Sequence, residues 1–147
     1  MTEPAWLTWA KTKIGVHEIP GPGDNSEIVG WFKFTPGLPR DEWHDATPWC
    51  SVFANAAFGL NGGKGTGSAA AISWADWGHE IEYPDALPGD VVVFEWASGG
   101  HHVALFLGQD DDRVHVIGGN QGGAAAFGGE VDERWFSKDN VINVRRA

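Results

Sequence analysis

Apolar positions change their period about half-way along the chain. In the first half they recur at helical spacing, beginning with Trp6, Leu7, Ala10 and Ile14, a stripe that Gly15 ends. Pro4 suits the first turn of that helix, after Thr2 or Glu3. A short helix from about Ser26 would carry Ile28, Trp31 and Phe32 on one face, between Pro/Gly-rich loops at 19–24 and 35–46. The strongest helix start is Thr47-Pro48-Trp49-Cys50, with Thr47 at the N-cap and Pro48 first in the helix. Trp49, Val52, Phe53, Ala56 and Leu60 then repeat helically until Asn61-Gly62-Gly63, and Ser68 caps a shorter helix through Ala70, Ala71 and Trp74. Beyond residue 87 the pattern reads as strands at 90–94, 102–107, 114–117 and 141–144, separated by turns such as Leu87-Pro-Gly89 and Asp110-Asp-Asp112. Helices first and an antiparallel meander afterwards predict an α+β fold. The 147 residues fit one domain, 1–147, with no internal repeat.

Composition narrows the function. Ten Lys and Arg against twenty Asp and Glu give a net charge of −10, a field that repels nucleic acid and anionic membrane surfaces alike. No run approaches the ~20 apolar residues of a membrane span. The first ten residues have neither a basic start nor an apolar core, so no signal peptide is expected. The chain is expected to be made in a cytoplasm and delivered separately to any target outside. Its single cysteine, Cys50, excludes an intrachain disulfide and a multi-cysteine zinc site. Nine tryptophans exceed what a small core usually needs, which makes Trp43, Trp49 and Trp74 candidates for stacking on a ligand.

Cys50 falls in the first turn of its helix, where unpaired N–H groups and the helix dipole favour a thiolate. The alternative is a small buried hydrophobe. A thiolate nucleophile needs a base, and His101-His102 open the second strand; alternation sets His102, Ala104 and Phe106 on one face and His101 on the other. The small Ala104 would let a helix approach the His102 face. A base needs an orienting partner, and Ile117-Gly-Gly-Asn120-Gln121 ends the next strand, where a hairpin returns it to His102. Asp90 reads as a turn residue, and 110–112 as a solvated hairpin turn. Asp41, Glu42 and Asp45 lack an EF-hand spacing.

The runs Thr47-Pro-Trp-Cys-Ser-Val-Phe-Ala-Asn55, Leu87-Pro-Gly-Asp-Val-Val-Val-Phe94, Gly100-His-His-Val-Ala-Leu-Phe-Leu-Gly108 and Ile117-Gly-Gly-Asn-Gln121 resemble, in that order, the NlpC/CHAP superfamily of papain-like cell-wall hydrolases. The resemblance extends from about Ile14 to the C-terminus. It implies a papain-like fold, with the nucleophile at a helix N-terminus packed on an antiparallel sheet, and a catalytic set of Cys50, His102 and Asn120. CHAP enzymes often carry Glu two positions before that Asn, where this chain has Gly118, so Gln121 stands beside Asn120 as the alternative partner. The implied activity is cleavage of peptidoglycan amide bonds by an amidase or endopeptidase, as in a phage endolysin released by a holin. Trp43, Trp49, Trp74 and Gln121 would line the substrate, without cofactor or metal, in a monomer. The alternatives are a wall- or glycan-binding module that lacks catalysis, and a secreted antibacterial amidase effector.

Overall fold

Pro4 is the residue from which the chain turns helical in a computed structural model that describes residues 3–122 and 129–147. Its carbonyl receives the N–H groups of Leu7 and Thr8 and opens α1, Ala5–Thr12, which buries Leu7 and Ala10. Thr2, one of the two expected caps, lies outside the described residues. Ile14 falls beyond the helix and is exposed, so the apolar stripe is shorter than its spacing suggests. Helix α2, Ser26–Trp31, is capped by the Asn25 side chain, which accepts the N–H groups of Glu27 and Ile28. It runs into a 3-10 turn, Phe32–Phe34, and Ile28, Trp31 and Phe32 are buried together as expected.

Helix α3, Cys50–Gly59, starts later than the Thr47-Pro48 signal indicates. Trp49 is its N-cap without a side-chain cap bond, and the Thr47 hydroxyl donates instead to the Glu42 carbonyl. All residues from Cys50 to Phe58 are buried, because α1 and α2 cover one side of α3 and the sheet covers the other. A helix enclosed all round needs no polar face. The Ser68 segment forms a 3-10 turn, Ala71–Asp76, with the Ser68 hydroxyl accepting the Ala70 N–H.

The sheet contains β1 (His79–Ile81), β2 (Val91–Glu95), β3 (His101–Gln109), β4 (Arg113–Gln121), β5 (Glu130–Ser137) and β6 (Val141–Arg146). They are antiparallel in the order β1-β6-β2-β3-β4-β5. Strands β1 and β5 are additions to the sequence-based expectation. One face of the sheet (Val91, Val93, Val103, Leu105, Ile117) packs against the helices. The other face (Val92, Phe94, Ala104, Phe106, Val116) forms a second, smaller core with Trp96 and Phe136. Burial on both faces explains the unbroken apolar run of β2. Asp90 is structural, its carboxylate bound at 2.8 Å to both Nε and a terminal nitrogen of Arg146. No described helix is long and apolar enough to cross a membrane.

Candidate active site

Cys50 is the first residue of α3, so its side chain lies among the N–H groups that no earlier carbonyl can pair. Buried polar bonds fix this turn. Ser51 Oγ donates to the Ser68 carbonyl at 2.6 Å and accepts the Trp74 indole N–H at 2.8 Å. Asn55 Oδ1 accepts the Gly67 N–H at 2.8 Å, tying the same loop to the next turn of α3. A groove of about 360 Å³, lined by Gly37, Leu38, Gly67, Ser68, Ala69 and Ala70, includes this pinned loop.

Helix α3 packs on the Val103–Leu105 face, whereas Ala104 belongs to the opposite face and the His102 ring lies among that face's Phe94, Trp96 and Phe136. The expectation that Ala104 opens a path for the helix is therefore corrected. Sulfur and imidazole meet at the end of the sheet instead. The main-chain N–H and C=O of Phe106 bond toward β2, so by alternation the Val103 N–H faces β4. Pairing of β3 with β4 begins only at Leu105 and Ile117, which leaves the Val103 N–H free to favour the Cys50 thiolate. The thiol thus interacts with both the main chain of β3 and the His102 ring.

On its far side, His102 Nε2 donates to Gln121 Oε1 at 2.8 Å. An amide oxygen only accepts, which puts the proton on Nε2 and leaves Nδ1 for the sulfur. The orienting amide is therefore that of Gln121 and not that of Asn120. A β-bulge makes the difference: β4–β5 register shifts between Gly118 and Gln121, and Asn120 has φ 55°. The extra residue moves Gln121 onto the face that strict alternation gives to Asn120. The Asn120 side chain lies against Gly129. Gly118 makes the room, since a Cβ there would come 2.5 Å from Gln121 Oε1. The Gln121 amide fills the space left by the missing side chain at 118.

The rings of Phe94, Trp96 and Phe136 surround His102 at centroid distances of 5.7, 5.9 and 6.0 Å and shield its hydrogen bond from water. Burial pushes the Cys50 thiol up, but the charge and hydrogen bond of His102, with the N–H groups of Val103 and Ser51, bring it below its ordinary value. Burial pushes His102 down, and the Cys50 charge and hydrogen bond, then Gln121 and Asp132, carry it above its ordinary value. Opposite shifts in two touching groups favour a thiolate–imidazolium pair. His101 pairs with Glu95 at 3.1 Å at the strand rim.

Comparison with known proteins returns no match, either to a protein-family model or to a curated sequence.

The tryptophans divide differently from expectation. Trp49 and Trp74 are fully buried, and their indole N–H groups are bound to Glu18 and Ser51, so neither faces a ligand. Trp43 is partly exposed, stacked with Phe32 and contacted by the Arg40 guanidinium. Gln121 is buried with its polar atoms engaged by His102 and Asp132, which makes it a partner of the imidazole and leaves no polar atom for a ligand. Asp45 Oδ2 accepts the N–H groups of Ile19 and Asn25, so this carboxylate braces a loop. Among the described residues no group of three or more His, Cys, Asp or Glu is placed to hold a metal ion. Asp132, on the unanticipated β5, is the participant that sequence reasoning missed. The available signal was the Gly118-Gly119 pair, which allows a bulge just before the two amides.

Proposed function

We propose that this chain is a papain-like cysteine hydrolase of the NlpC/CHAP type, cleaving amide bonds of peptidoglycan as an amidase or endopeptidase. The observation that carries the reading is Cys50 at the start of α3, its thiol and a buried His102 shifting each other toward the charged pair, with a ring nitrogen of His102 held by Gln121. A nucleophile, a base and an orienting group in series form the arrangement that acyl transfer requires.

The Cys50 thiolate attacks the amide carbonyl, and the backbone N–H of Cys50 at the helix start stabilises the developing oxyanion. His102 gives its Nδ1 proton to the leaving nitrogen as the C–N bond breaks, leaving a thioester. It then takes a proton from water, whose oxygen adds to the thioester; the C–S bond breaks, and a carboxylic acid and the resting pair are restored. The groove lined by Gly37, Leu38, Gly67, Ser68, Ala69 and Ala70 is tied to the first turn of α3 through the Ser68 carbonyl, and its mostly small lining suits an extended peptide strand. A monomeric phage endolysin reaching the wall after holin release is the role that fits this activity best, and delivery through a secretion system is the alternative route.

The deciding experiment is mass spectrometry of muropeptides after digestion of purified walls. New termini at one amide bond are expected with the wild-type chain and none with Cys50→Ala of unchanged fold. Equal products from both would remove the nucleophile assignment. Wall binding without products from either would favour the binding module.

A further inference from the structure

Gln121 has two chemically different ends, and only one of them serves His102. With Oε1 toward the ring, the proton stays on Nε2, and Nδ1 is open to take the Cys50 proton. Turned by half a rotation, the amide would offer N–H groups, select the tautomer protonated on Nδ1, and so remove the base. Side-chain amides rotate unless something holds them. Here both hydrogens of Gln121 Nε2 are given to Asp132, one to its carbonyl oxygen and one to Oδ1, each at 2.9 Å. Asp132 Oδ2 in turn accepts Arg134 Nε at 3.0 Å, which leaves Oδ1 directed at the amide. A rotated Gln121 would set its oxygen against two acceptors.

We propose that Asp132 is a positioning residue of this site, fixing through Gln121 which tautomer of His102 faces Cys50. The inference rests on reading Cys50 and His102 as the reactive pair, and it is independent of which bond is cut. Among the described residues the charged groups around His102 are few. Helix α3 supplies Cys50, and β5 supplies Asp132 with Arg134 on its outer side. Strand β2 and the turn after it supply the rings of Phe94 and Trp96, while Glu95 is engaged by His101. Strand β4 contributes only the neutral amide. Among the described residues Asp132 is therefore the carboxylate whose charge supports the imidazolium.

The test uses alkylation of Cys50 by iodoacetamide in the full chain, followed by mass spectrometry across pH. This needs no wall substrate, so its result is separable from the hydrolase reading. Asp132→Ala should slow alkylation near neutral pH roughly three- to tenfold, the factor carried by one net hydrogen bond. Asp132→Asn keeps an acceptor for Gln121 and drops the charge; it should retain most of the rate, with the upper inflection of the profile moved to lower pH. The sign follows because losing a nearby negative charge makes the imidazolium give up its proton sooner. In a Gln121→Ala background, Asp132→Ala should cost less than about twofold more, since the group it positions is gone. Wild-type rate and an unmoved inflection in Asp132→Ala would overturn the proposal, as would full multiplication of the two losses in the double variant. Wall products absent from a wild-type chain that alkylates as expected would count against the hydrolase reading and leave the role of Asp132 standing.

Discussion

His102 stands between two partners with opposite demands: a sulfur that, in the proposed reaction, gives and receives a proton, and an amide oxygen that only accepts a hydrogen bond. Gln121 meets the second demand at 2.8 Å, and Asn120, one residue earlier, is turned away by its own backbone. Gln121→Ala should lower kcat/KM on wall fragments roughly ten- to a hundredfold, part of what general acid–base catalysis supplies. Asn120→Gly should stay within about twofold, because glycine adopts the positive φ without strain. Glycine is the proper control, since alanine there would add a backbone cost unrelated to the side chain. Steady-state kinetics on both variants decides it, and a reversed order would return the orienting role to Asn120. Cys50 and His102 were legible in the sequence through short-range signals, a helix start and a strand start. The choice between the amides was not, since it depends on a bulge that forms only when β4 pairs with β5.

At the scale of elements, the site is a junction of the first turn of α3 with the ends of β3 and β4. Gly119 permits the contact, since a Cβ there would lie 2.6 Å from Phe53 Cβ and 2.7 Å from the Trp49 ring. Ser51 fixes the turn by serving Trp74 and the Ser68 carbonyl together. Ser51→Ala would leave the indole N–H of a fully buried tryptophan without that acceptor, at a cost of about 1–3 kcal/mol. At roughly 2–4 °C per kcal/mol in a chain of this size, thermal unfolding should shift down by several degrees. An unchanged melting temperature would show that this pin holds nothing. The short-range pattern predicted α1, α2 and the inner strands, whose apolar residues are enclosed by their neighbours. It missed β1, which has only three residues, and β5, an edge strand with Glu133, Arg134 and Trp135 exposed. Edge strands lack the apolar run that marks the centre of a sheet, because solvent accepts charge on them.

The whole molecule carries twice as many acidic as basic residues, twenty against ten, around a site whose own pair is neutral overall. Several of the basic groups are already matched within the fold, among them Lys11, Lys13, Arg134 and Arg146. The net field an approaching polymer meets is therefore negative, and the wall substrate proposed for this chain is often anionic. Like charges should slow encounter at low ionic strength, where the screening length is about 30 Å at 0.01 M, and relax near physiological salt, where it is about 8 Å. The rate of wall hydrolysis at low substrate should accordingly rise severalfold between those conditions. Alkylation of Cys50 by neutral iodoacetamide should hardly change, because no charged partner has to approach. Turbidity assays on purified walls, run beside alkylation in the same salt series, separate an effect on encounter from an effect on the site. A rate that falls steadily with salt would mean that the wall docks on a locally basic surface, and that the net charge is not what it meets.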